Sequence, residues 1–270
     1  MRRMIDFDCG GDRLAGTLDR GDATTGLLIV NGGNEIRSGA YAGQAAMAKH
    51  FAAFGYPVFR YDRRGVGDSE GSNNGFEASA DDIAAAVTAF RTEAPHISRV
   101  VAFGNCDAAT SLAFYHDGID SLVLANPWVI ETTASESDAP TPPSAAAVRA
   151  RYLARLKNPR SLLDLLTGKI DLKKLAGGLA KAAQKEMPTG LAARLASSLA
   201  SSSLPTQLLV AERDTTALAF IGAYKTPLFK TARSRANVTL SKCDSASHSF
   251  ADATAKTWLY DHIARALSDS

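Results

Sequence analysis

The sequence predicts an α/β protein, a mostly parallel sheet of about eight strands flanked by helices, with a helical cap inserted late in the chain. Three observations lead there. Short apolar, β-branched runs alternate with stretches of helical spacing from residue 27 to 125, the rhythm fails over 131–203, and it resumes over 206–267. Parallel neighbours need crossovers, and an intervening helix supplies them. The core is therefore expected from 1–130 and 204–270, with 131–203 as the cap.

The elements follow in order. Residues 4–9 and 14–19 flank Gly10-Gly11-Asp12 and read as a hairpin turning on glycines. Leu27-Leu28-Ile29-Val30 is a continuous apolar run, as a strand buried on both faces requires. Helical spacing over 41–54 ends at Gly55, and 57–61 is the next strand. A helix over 76–94 precedes the strand 99–104, and a helix over 107–117 closed by Gly118 precedes the strand 121–125. After the cap come a strand at 206–211, a helix over 217–229, a strand at 237–242 and a last helix over 252–267.

Composition narrows the function. A chain of 270 residues with 46% hydrophobic and 21% charged residues is ordinary globular material, which excludes disorder. A net charge of +2, with no interleaving of aromatic and basic residues, argues against nucleic acid. Cys9, Cys106 and Cys243 form neither a metal-ligand spacing nor an even disulfide framework, which fits a reducing compartment. Arg2 and Arg3 have no apolar stretch behind them, and no run of about 18 apolar residues occurs, so a soluble cytoplasmic protein is expected. Gly65, Gly67 and Gly71 miss the GxGxxG spacing of a phosphate loop, and no cofactor or metal is expected.

The strand at 99–104 runs into Gly104-Asn105-Cys106-Asp107-Ala108, a GxCxA turn from which a helix starts. Small residues on either side let Cys106 stand on a strained corner, where the first N–H groups of the helix face developing negative charge. Asp214 stands just past the strand after the cap and His248 past the last strand, at the same sheet edge as Cys106, whereas His50, His96, His116 and His262 fall in or beside helices. Gly33, in Asn31-Gly32-Gly33, and Asp107 are placed to offer two backbone N–H groups as an oxyanion hole.

The turn resembles the nucleophile elbow of the α/β-hydrolase family, usually GxSxG, with cysteine for serine and alanine for the last glycine. Dienelactone-hydrolase-like members also carry cysteine there. Asn31-Gly32-Gly33 resembles the family's HG loop with asparagine for histidine, and Asp62 to Ser69 resembles its structural DxRGxGxS segment. The runs GNCDAA, ERDTTA and SHSF, with a short basic-rich cap, look most like the hydrolases associated with exosortase A systems in bacteria that export polysaccharide. That resemblance implies Cys106 as nucleophile, His248 as base and Asp214 as its orienting acid, acting on an ester or thioester. An acyltransferase with the same triad, or a hydrolase-like binding protein, are the alternatives. A carboxylate at Asp107 beside the thiol opposes a thiolate.

In the cap, ten basic residues stand against three acidic ones between Arg149 and Glu186. Such a rim could attract a lipid-linked or anionic acyl substrate, make peripheral contact with a membrane, or be a solvated face.

Overall fold

A computed structural model describes residues 1–131 and 190–269. Arg2–Cys9 (β1) and Asp12–Asp19 (β2) form the expected hairpin, with Gly10 and Gly11 at φ 63° and 96° in its turn. Thr25–Val30 (β3), Gly43–Ala53 (α1), Val58–Tyr61 (β4), Ala80–Glu93 (α2), Arg99–Asn105 (β5), Asp107–Phe114 (α3) and Ser121–Ala125 (β6) follow. Then come Gly190–Ser201 (α4), Thr206–Ala211 (β7), Thr215–Tyr224 (α5), Lys230–Arg233 (α6), Val238–Cys243 (β8) and Ala253–Ser268 (α7). The eight strands form one sheet in the order β1-β2-β4-β3-β5-β6-β7-β8, antiparallel at the β1-β2 and β2-β4 pairs and parallel elsewhere.

Alternation along the central strands feeds two apolar cores, one on each face. On β5, Val100 and Ala102 join the core with α2, α3 and α4, while Val101 and Phe103 join the core with α1 and α7. Burying each large side chain contributes roughly 1.5–3 kcal/mol, so a strand with both faces covered holds its register firmly.

Two helices end earlier than their spacing suggests. The helix after Cys106 stops at Phe114 and Gly118 lies in the following turn at φ 74°, while the helix expected over 217–229 breaks at Thr226-Pro227. Pro227 has no N–H to continue the ladder and disfavours helical geometry in the residue before it.

Of the expected cap, 132–189, with its basic stretch, lies outside the described residues. The end of that span is core: Ala192, Leu195, Ala196 and Leu199 of α4 recur at helical spacing and bury in the layer containing α3.

Candidate active site

The corner after β5 has the predicted strain. Cys106 adopts φ 64° and ψ −128°, a conformation that costs on the order of 1–3 kcal/mol and persists only where surroundings hold it. They do so from both sides: the Cys106 N–H donates to Ala125 O at 3.0 Å, and its carbonyl accepts from Trp128 N–H at 3.2 Å. A Cβ on Gly104 would lie 2.8 Å from the Ala108 carbonyl carbon, so glycine is what lets α3 start so close to the strand. Cys106 is half-buried at the mouth of this turn, whereas Cys9 and Cys243 are buried.

Asp214 and His248 meet it from neighbouring loops. Asp214, only 6% exposed, ends the turn after β7 and caps α5, its Oδ2 accepting from Ala217 N–H at 3.0 Å. The same oxygen stands 3.0 Å from His248 Nδ1. Burial opposes charge on this imidazole, but hydrogen bonding to Asp214 and then to Cys106 outweighs it and raises its pKa from 6.5 to about 10. Asp214 thus anchors the imidazole, and the Cys106 thiol lies near enough to perturb it. Glu212, two residues before the acid, pairs instead with Lys242 at 3.0 Å on the surface.

The other histidines have structural partners: His96 bonds Gly21 O, His116 bonds Leu112 O, His262 bonds Gln207 Oε1, and His50 packs on Phe54 and Tyr260.

Two asparagines to which sequence spacing gives no role hold the histidine loop. Asn126, fully buried at φ 43° after β6, donates from Nδ2 to His248 O at 3.0 Å and to Asn105 Oδ1 at 3.1 Å. Its Oδ1 accepts from Ala211 N–H at 2.9 Å, and Asn105 Nδ2 donates to His248 O at 3.2 Å. One carboxamide thus ties together the ends of β5, β6 and β7 and the loop carrying the imidazole.

The oxyanion side differs from expectation. Gly33 and Asp107 come together, but the Gly33 N–H donates to Asp107 Oδ1 at 2.7 Å, so this donor is filled from within the protein. Burial raises the Asp107 carboxyl pKa, against the Gly33 N–H, the Arg63 charge and the Ala108 N–H, which favour the ionised form. The contact is built in: a Cβ on Gly32 would lie 2.6 Å from both Asp107 Oδ1 and Asn105 O. Arg63 donates to Gly33 O, Asn31 Nδ2 donates to Glu35 O at 3.3 Å, and buried Asp62 receives the Arg37 guanidinium. The segment 62–69 is thus structural, as its resemblance implied: it clamps the Gly33 loop, while Ser69 Oγ donates to Asp62 O and accepts from Ala15 N–H.

Among the described residues no group of three or more His, Cys, Asp or Glu side chains is arranged to hold a metal ion, and no helix is long and apolar enough to cross a membrane.

Residues 22–251 match the family model described as serine aminopeptidase, S33. No curated protein matches the sequence. Among solved structures, the chain is similar to the Pyrococcus furiosus esterase Pf2001, with a TM-score of 0.64 at 15% identity over 98% of this chain and 90% of the other. It is also similar to the thioesterase domain of the curacin biosynthetic pathway, with a TM-score of 0.57 at 14% identity over 98% and 99%. Est1E from Butyrivibrio proteoclasticus, solved with ferulic acid bound, gives a TM-score of 0.59 at 14% identity over 98% and 100%. At these identities the likeness is one of fold.

Proposed function

The chain belongs to the serine aminopeptidase S33 family of α/β-hydrolases, and from that premise we propose that it cleaves carboxylic ester or thioester bonds with Cys106 as nucleophile, His248 as acid and base, and Asp214 as the group that orients the imidazole. The observation that carries this reading is the strained Cys106 corner facing an imidazole whose Nδ1 lies 3.0 Å from Asp214. No other histidine of the chain has a carboxylate partner of this kind among the described residues.

In the proposed reaction the Cys106 sulfur attacks the carbonyl carbon while its proton resides on His248. The oxyanion needs the Gly33 and Asp107 N–H groups, so the Asp107 carboxylate must first turn off Gly33. Collapse breaks the bond to the leaving oxygen or sulfur, which takes the proton from His248 and leaves an acyl-Cys106 thioester. Water, losing a proton to His248, then releases the acid and restores the thiol.

The runs GNCDAA, ERDTTA and SHSF support a finer assignment to the exosortase-associated hydrolases, acting in the cytoplasm on a small-molecule or lipid-linked acyl substrate near polysaccharide export. A second reading, a non-catalytic binding protein of this fold, draws support from the Asp107 carboxylate on the Gly33 donor. A panel of acyl esters and thioesters, run on the wild type and Cys106→Ala, separates the two. Turnover lost in the variant, with rapid stoichiometric iodoacetamide labelling of Cys106 that depends on His248, is the expected result. Equal turnover in both proteins sinks the nucleophile assignment.

A further inference from the structure

A cavity of about 230 Å³ opens between α1, α7, the loop after Gly33 and the loop after His248. Resting on the proposed acyl-cysteine chemistry, we infer that this cavity is the subsite for the leaving group, and that it takes a neutral thiol or alcohol with an apolar chain.

Position argues for the leaving group. Asn105, which immediately precedes the nucleophile, and Ser249, which immediately follows the imidazole, both line the cavity, and Glu35 lies two residues past Gly33. The leaving atom must sit where His248 can protonate it, so the chain attached to it runs along the loop that carries His248. Size and lining set its class. At ~30 Å³ for a liquid-density water, the volume holds on the order of eight non-hydrogen atoms. The inner wall is Met47, Phe103, Phe250 and Leu259, all buried members of the α1 and α7 core. Glu35 and Lys256 contribute one charge of each sign, which favours a neutral occupant.

Gln44 also lines the cavity, its stem packed against Gly39. A Cβ on Gly39, at φ 72°, would lie 2.6 Å from Gln44 Cγ, so glycine there permits the packing. Beside it, Tyr41 and Ala42 are consecutive non-glycine residues at φ 51° and 56°, and Tyr41 is fully exposed at the rim. Strain of this kind, gathered at a cavity mouth, accompanies ligand sites.

The test is a series of thioesters sharing one acyl group, with thiols of increasing length. In the wild type, kcat/KM should rise about tenfold as the thiol approaches eight non-hydrogen atoms. Ala46→Trp, at an exposed position lining the cavity, should flatten the length dependence. The hydrolysis rate of the preformed acyl-enzyme, which carries no leaving group, should be the same in both proteins, with melting temperatures reporting intact folding. Length dependence that survives in Ala46→Trp, or that moves instead with the acyl chain under a fixed thiol, overturns the subsite. Either result with Cys106→Ala still inactive leaves the nucleophile reading standing, whereas an active Cys106→Ala removes that reading first.

Discussion

The two halves of the site around Cys106 are in opposite states. On one side the imidazole is already seated: Asp214 holds Nδ1, and Asn105 and Asn126 grip the backbone carbonyl of the same histidine. On the other side the Gly33 donor is taken by the Asp107 carboxylate. The first half is preorganised for proton transfer, while the second must open before a carbonyl oxygen can enter. Preorganised donors contribute most when they cost no rearrangement during reaction, so on this reading the exchange at Gly33 limits the rate and the acid-base pair does not.

Perturbing each half should therefore move activity in opposite directions. Cys106→Ala, where the halves meet, should remove turnover by at least ~10³-fold in kcat. Asp214→Asn should lower kcat by about 10²- to 10⁴-fold with KM nearly unchanged, since it disturbs imidazole orientation. Thermal melting of this variant should stay close to wild type because asparagine still caps α5. A silent Asp214→Asn together with a damaging Glu212→Gln would mean the wrong acid.

The occupied half should respond with the other sign. Asp107→Ala frees the Gly33 N–H and should raise the rate of acyl-enzyme formation by about tenfold, read as the burst phase with an activated ester. A fall to the level of Asp214→Asn would show that the carboxylate takes part in the chemistry and does not obstruct it.

The smallest effect is on stability. The folded His248 pKa is raised from 6.5 to about 10, so protonated His248 stabilises the fold below the unfolded value, and that contribution disappears as pH climbs toward about 10. The side chain is 41% exposed, and solvent screening keeps the effect modest. Melting temperatures measured from pH 6 to 10 should decline more steeply in the wild type than in His248→Gln. Parallel curves would mean that the charged imidazole is not held in the folded protein.

The residues of the seated half were legible where local rules apply. A β-branched run ending in Gly104 marks a strand and a corner, and the resemblance to the hydrolase order pointed to Asp214 and His248 among the carboxylates and histidines. Asn126 was not legible, because its partners Asn105, Ala211 and His248 lie 21, 85 and 122 residues away and no periodicity links them. Gly33 and Asp107 meet in space, but the carboxylate on the Gly33 N–H was not foreseen, because backbone spacing locates an N–H but not the side chain that fills it.

The sequence by itself determined the alternation of strand and helix and the corner at Cys106, since hydrophobic period and turn chemistry act within a few residues. Only the tertiary structure decided that α4 joins the core, that Asn126 binds three strand ends to the histidine loop, and that a carboxylate stands on Gly33. Each of these depends on groups distant in the chain meeting in a low-dielectric interior, where every donor requires an acceptor and whichever group lies nearest takes it.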